Sequence, residues 1–148
     1  EGLRRIPEEF PALVGCKPEL SGFFWFQGWN DMFDEQARNG YEQNLVHLIQ
    51  DLRRDLRFPD MPVVVGELGN GGDSAGKSMQ MIRSAQAAAC SRPELGGNVS
   101  FVKTAGFARP AKDSPNVGHG HHWFGNAESY FLVGDALGQA MVELLGAR

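Results

Sequence analysis

A chain of 148 residues is long enough for one domain with a real hydrophobic core. Its 42% hydrophobic and 22% charged residues are an ordinary globular balance, and no apolar run is long enough to span a membrane. With 14 basic against 18 acidic residues and a formal net charge of -4, nothing electrostatic points to a nucleic-acid partner.

Pro7, Pro11 and Pro18 break any long helix over the first twenty residues; a short helical piece from about Leu3 to Phe10 and then a loop are expected. The chain begins at Glu1 rather than Met, as a processed product or the rear part of a longer protein would. Cys16 and Cys90 are far apart and form neither a metal pattern nor a disulfide framework, which leaves the redox compartment open. Next comes Gly22-Phe23-Phe24-Trp25-Phe26-Gln27-Gly28-Trp29-Asn30-Asp31. A run apolar on both faces predicts a strand from Phe23 to Gln27 buried on both sides, as in a parallel sheet covered by helices. Gly28 lets the backbone turn sharply where the strand stops. The polar residues after it then sit at the carboxyl end of the sheet, where open α/β folds place their sites. Asn30 offers a neutral amide donor able to face a developing negative charge, although an ordinary strand followed by an Asn-Asp turn shows the same residues.

A polar loop is expected from Phe33 to Gly40, and a helix from about Tyr41 to Arg57. Leu45, Leu48, Ile49, Leu52 and Leu56 make its apolar stripe. Asp51, Arg53, Arg54 and Asp55 occupy the other face, read as solvated, and Phe58-Pro59-Asp60 stops the helix. Pro62 to Leu68 reads as a second buried strand, β-branched and uncharged until Glu67. A Gly-rich loop from Gly69 to Gly76 leads into a helix from about Lys77 to Cys90, with Met79, Ile82, Ala85 and Ala89 inward. After a turn at Pro93 to Gly97, Asn98 to Thr104 is a third strand. Residues 105–125 are irregular. The last helix runs from about Ala127 to Leu145, with Asn126 as N-cap, Gly146 as stop, and Tyr130, Val133, Leu137, Met141 and Leu144 as its stripe.

The alternation predicts a single α/β domain over residues 1–148, a parallel sheet with right-handed crossovers and helices on its faces. Three strands are few for such a sheet, so one edge is expected to need further strands.

Three constellations offer chemistry. Gly71-Gly72-Asp73-Ser74-Ala75-Gly76-Lys77-Ser78 satisfies the phosphate-loop pattern G-x-x-x-x-G-K-[ST] between a strand and a helix. Against it, Gly66 to Asn70 separate the loop from the strand, and the strand NVSFVKT carries no Asp to hold magnesium. A flexible connector whose Lys77 opens a helix is the plainer reading. His119-Gly120-His121-His122 puts three imidazoles in four residues. They can bind a transition metal, but neighbouring His side chains point different ways and no Cys is near. One catalytic His with two bystanders is simpler, and no metal is expected. The third constellation joins Asn30, Glu67 and His122, which all fall on the carboxyl edge of the sheet. Ester hydrolysis needs a general base, an acid that orients it and donors for the oxyanion; His122, Glu67, and Asn30 with Gly28 can supply these. The nucleophile is the missing part, since Ser74 lies in a Gly-Asp-Ser triplet after the second strand, a match read as accidental.

Gly28-Trp29-Asn30-Asp31 matches the G-x-N-D block of the SGNH hydrolases. The ordered blocks FFWFQGWNDMFD, YEQNLVHLIQDLR, PVVVGELG and HHWFGNAESYFLVGDALGQAM, from about Gly22 to Leu145, resemble the sialate O-acetylesterase-related branch, which includes the acetyl xylan esterases of carbohydrate esterase family six. The resemblance implies a three-layer α/β/α fold of the flavodoxin-like kind and a cofactor-free serine esterase that removes acetyl groups from sugars such as sialic acid or xylan. It implies Asn30 as an oxyanion donor, His122 as the base that deprotonates a serine, Glu67 as the acid that orients His122, and Gln27 in the pocket. Trp29 and Trp123 are aromatic surfaces on which a sugar can stack; Trp25 is read as core.

The sequence departs from the family in two places. Many SGNH hydrolases carry an Asp three residues before the His; here that position is His119, which raises the weight on Glu67. The family's nucleophilic Ser lies in a Gly-Asp-Ser or Gly-Gln-Ser-Asn block before G-x-N-D, and nothing before Gly22 resembles it. In the family's strand order, 2-1-3-4-5, the strands here would be the third, fourth and fifth. The first strand here would then have an open inner edge. The expected partners are an acetylated carbohydrate and the missing N-terminal segment of the same domain, not nucleic acid or membrane. A nucleotide-binding protein using Lys77 and a non-catalytic carbohydrate-binding module are the other readings.

Overall fold

The computed structural model describes residues 10–17 and 19–146; the helical piece expected from Leu3 lies outside them but for Phe10. The main elements are β1 (Phe23–Trp25), α1 (Glu35–Asp55), β2 (Val63–Gly66), α2 (Lys77–Cys90), β3 (Val99–Val102) and α3 (Ala127–Gly146), joined through short 3-10 turns. The strands lie side by side in the order β1-β2-β3 and are parallel throughout. Phe24 stands beside Val64, and Val64 beside Ser100. β2 is a run of valines buried on both faces, as a central parallel strand should be. Burial of each valine contributes about 1.5–3 kcal/mol.

α1 and α2 pack together on one face of the sheet. Leu45, Ile49, Met79 and Ile82 meet Val63 and Val65 there in the larger core. α3 covers the other face, placing Val133, Leu137, Ala140 and Met141 on Val64. The result is the α/β/α layering that the alternation predicts, with three consecutive parallel strands.

The structure departs from the sequence reading at several points. First, α1 begins at Glu35 rather than Tyr41, so most of the stretch from Phe33 to Gly40 is helix rather than loop. Asp34 explains the early start, because its Oδ1 accepts the Ala37 N–H at 2.7 Å and caps the helix. Gly40 is carried inside the helix. Asp34→Ala is expected to lower stability by about 1 kcal/mol, read as a lower urea midpoint with an unchanged slope.

Second, Arg53 is not on a solvated face. It is 8% exposed, and its guanidinium donates to the carbonyls of Met61 and Leu95, tying the approaches to β2 and β3 beneath the end of α1. Leu56, read as part of the stripe, is exposed instead.

Third, β1 is half-buried on one face and exposed on the other. Phe23 and Trp25 pack on the α1–α2 core, while Phe24 and Phe26 are 48% and 38% exposed. The reason is coverage: α3 packs on β2 and β3, and β1 pairs with β2 alone among the described residues. On α3, Asn126 caps as predicted, its Oδ1 accepting the Ser129 N–H at 3.1 Å. Gly146 is the last described residue of the helix, and Tyr130 leaves the stripe for the surface.

Candidate active site

Strand β1 ends in a corner that only glycine can make. Gly28 has φ 150°, and a Cβ there would lie 2.8 Å from Ile82 Cγ2 on α2. Two buried side chains hold this corner. The Gln27 carbonyl accepts from Tyr41 Oη at 2.7 Å and from Gln86 Nε2 at 3.0 Å. Gln86 Oε1 also accepts the Leu68 N–H at 2.9 Å, so one amide ties the ends of β1 and β2. Burial pushes the Tyr41 phenol pKa up, which keeps it a donor. Beyond the corner, Asn30 opens a 3-10 turn without using its side chain as a cap, and Gln27 Nε2 donates to Asp31 Oδ2 at 2.6 Å.

His121 and His122 lie on the 3-10 stretch Gly120–Gly125, which kinks at His122, and His119 immediately precedes it. Trp123 and Phe124 follow with φ of 51° and 54°, two successive non-glycine residues in the left-handed region. Such geometry persists only when its surroundings over-determine it. Here the His119 carbonyl accepts the N–H groups of both His122 and Phe124, and the Trp123 indole is buried under α3.

These segments enclose a cavity of about 480 Å³ at the carboxyl edge of the sheet. Gln27, Gly28, Trp29 and Asn30 line it from β1, Leu68 and Asn70 from the end of β2, and His121, His122 and Trp123 from the histidine loop. Phe26 forms part of the wall. Gly66 has no side chain to displace its ring, which rests 6.1 Å from that of Trp123. Tyr130, Asn70 and His121 line the cavity too; the sequence reading placed Tyr130 on the apolar stripe of the last helix and His121 among bystander histidines, and did not single out Asn70. The available signals were a polar residue beside the strand end and a tyrosine one turn into α3.

Glu67 is the predicted site residue that does not line the cavity. Its Oε2 accepts the backbone N–H groups of Thr104 and Ala105, both at 2.8 Å, and no hydrogen bond joins it to His122 among the described residues. The three imidazoles form a triangular cluster, with ring centres 4.2 Å apart for His121 and His122, 5.3 Å for His121 and His119, and 6.4 Å for His119 and His122. Desolvation, then the neighbouring His122 and His119, push the His121 pKa down. No group of three or more His, Cys, Asp or Glu side chains among the described residues is arranged to hold a metal ion.

The Gly71–Ser78 loop does not form a phosphate cradle. A phosphate loop turns its N–H groups inward. Here the N–H groups of Gly72, Ser74 and Ala75 are taken up by the carbonyls of Gly69, Gly71 and Gly72, and Arg83 donates to Leu68 O at 2.7 Å and to Asn70 O and Gly72 O at 3.0 Å. Ser74 Oγ donates to Gly71 O within the same turn, and Lys77 lines a separate groove with Arg38 and Gln80.

A parallel α/β/α sheet with an amide, a glycine corner and an imidazole gathered at its carboxyl edge is the layout of an α/β enzyme domain. The family can be named from the sequence: residues 4–143 match the carbohydrate esterase, sialic acid-specific acetylesterase family, and the chain belongs to it. A probable carbohydrate esterase of Arabidopsis thaliana is 33% identical over 57 residues, a stretch that makes up 38% of this chain and 22% of that protein. No solved structure matches the chain.

Proposed function

We propose that this chain carries the base and the oxyanion donors of a carbohydrate O-acetylesterase of the SGNH class. The observation that carries the reading is the meeting of Asn30, Gly28 and His122, from opposite ends of the chain, in one cavity. In this mechanism His122 takes the proton of a serine Oγ as that oxygen attacks the acetyl carbonyl. The Asn30 amide and the Gly28 N–H receive the oxyanion. The imidazolium then returns the proton to the departing sugar oxygen, and water, activated by the same imidazole, releases acetate from the acyl-serine.

No serine is among the residues lining the cavity, and Ser74 is bonded into its own turn. In this reading the nucleophile comes from a segment outside this sequence that pairs with the free edge of β1. The substrate is an acetylated sugar such as sialic acid or xylan. Trp29 offers it an aromatic surface, its ring 5.8 Å from that of His121.

The test is hydrolysis of p-nitrophenyl acetate and acetate release from acetylated xylan and O-acetyl sialic acid. Asn30→Ala is expected to lower kcat on the order of 10²-fold with KM little changed, the effect of removing one oxyanion donor. An unchanged kcat would remove Asn30 from the mechanism. Xylan binding without turnover would favour a non-catalytic binding module.

A further inference from the structure

The histidine loop is held from outside by two side chains. Asn70, in the turn after β2 and 4% exposed, donates from Nδ2 to the carbonyls of Gly120 at 3.0 Å and His121 at 3.3 Å. Tyr130, in the first turn of α3, donates from Oη to the carbonyl of His122 at 3.0 Å. Three successive carbonyls are thus fixed by the ends of β2 and α3. Both partners of the Asn70 amide are acceptors, so its NH2 group is the end that faces the loop. Asn70 is itself anchored, since its carbonyl accepts from Arg83 Nη2 at 3.0 Å. The Arg83 guanidinium also holds the carbonyls on either side of that turn.

We propose that Asn70 is the positioning residue for the His122 base, fixing the imidazole through the backbone of its loop. This rests on the reading of His122 as base. The logic is the division of labour among the groups present. A carboxylate bonded to the imidazole ordinarily orients it, and no such bond to His122 occurs among the described residues. The backbone after His122 is strained at Trp123 and Phe124, so the loop keeps its shape only while it is tied at several points. Asn70 supplies two of those ties and itself lines the cavity, with Leu68 two residues before it. A misplacement of about 1 Å in a catalytic group lowers rate on the order of 10²-fold.

The experiment compares Asn70→Ala, Asn70→Asp and Asn70→Ser in the protein carrying this chain. With p-nitrophenyl acetate, Asn70→Ala is expected to lower kcat roughly 10- to 100-fold with KM within about twofold. Asn70→Asp is expected to lose at least as much, because it sets a carboxylate oxygen against two carbonyls. Asn70→Ser keeps one hydroxyl donor and is expected to retain part of the rate. The second readout is the NMR signal of the histidine rings, which needs no turnover. In folded Asn70→Ala, His121 and His122 should shift while His47, exposed on α1, stays fixed. Loss of folded protein with unchanged kcat per folded molecule and unmoved His121 and His122 signals would overturn the inference. If His122→Ala is inactive while Asn70→Ala keeps wild-type kcat, this inference fails and the base assignment stands. If His122→Ala is itself fully active, the base assignment fails.

Discussion

His122→Ala is expected to lower kcat for acetyl ester hydrolysis by about 10³-fold or more, with little change in KM. In the proposed mechanism the serine then loses the base that removes its proton and the acid that protonates the leaving oxygen, while binding and the oxyanion donors remain. His121 also lines the cavity, so the two imidazoles must be told apart. His121 lies between Trp29 and the other two rings, and its pKa is pushed down by desolvation and by His122 and His119. A base with a lowered pKa is a weaker one. His121→Ala is therefore expected to cost only about tenfold. Steady-state kinetics on both variants, with circular dichroism to confirm folding, decide the matter. If the larger loss falls on His121→Ala, the base moves by one residue.

The largest expected effect on stability belongs to Arg53→Ala. The Arg53 guanidinium is buried and donates to Met61 O from Nε and Nη2 at 3.1 Å and 2.9 Å, and to Leu95 O from Nη1 at 2.7 Å. Truncation leaves those carbonyls short of donors and opens a void beneath α1. Leaving two buried carbonyls without their donors costs about 1–3 kcal/mol each. That is a large share of the roughly 5–15 kcal/mol stability of a small domain. Its neighbour Arg54 is the control: it reaches Asp51 and Asp55 on the open face, with side chains more than half exposed. Arg54→Ala is expected to leave the urea midpoint nearly unchanged. Urea unfolding of the two variants should separate them clearly; equal midpoints would contradict the account of Arg53.

Much of this architecture is legible in the sequence because apolar periodicity reports it. The valine run of β2, the bounds of α2 and the capped start of α3 all follow from residue type and spacing. What escapes is whatever depends on a distant partner. Phe24 and Phe26 look buried because their neighbours are aromatic, yet their exposure is decided by how far α3 extends across the sheet. Arg53 counts as solvated by its charge, yet sits over two strand ends because the carbonyls of Met61 and Leu95 meet there. The start of α1 is hidden by polar residues without periodicity, although Asp34 marked the cap.

The candidate site divides in the same way. Gln27, Gly28, Trp29 and Asn30 follow from the rule that α/β sites lie at strand carboxyl ends, and His122 from its place before the last helix. Asn70, Gln86 and Tyr130 act by hydrogen bonds to the backbone of segments remote in sequence. No local pattern announces such a bond. Glu67 shows the converse, a carboxylate at the right strand end whose Oε2 is taken up by the Thr104 and Ala105 N–H groups.

The central claim is that His122, in this cavity, activates a serine supplied from outside this sequence. The most direct measurement is labelling of the purified native protein and its His122→Ala variant with a fluorophosphonate, followed by peptide mapping. The expected result is one labelled serine in the native protein, on a peptide outside the 148 residues, and little or no labelling in the variant. A label on Ser74 or another serine of this chain, or equal labelling of the variant, would contradict it.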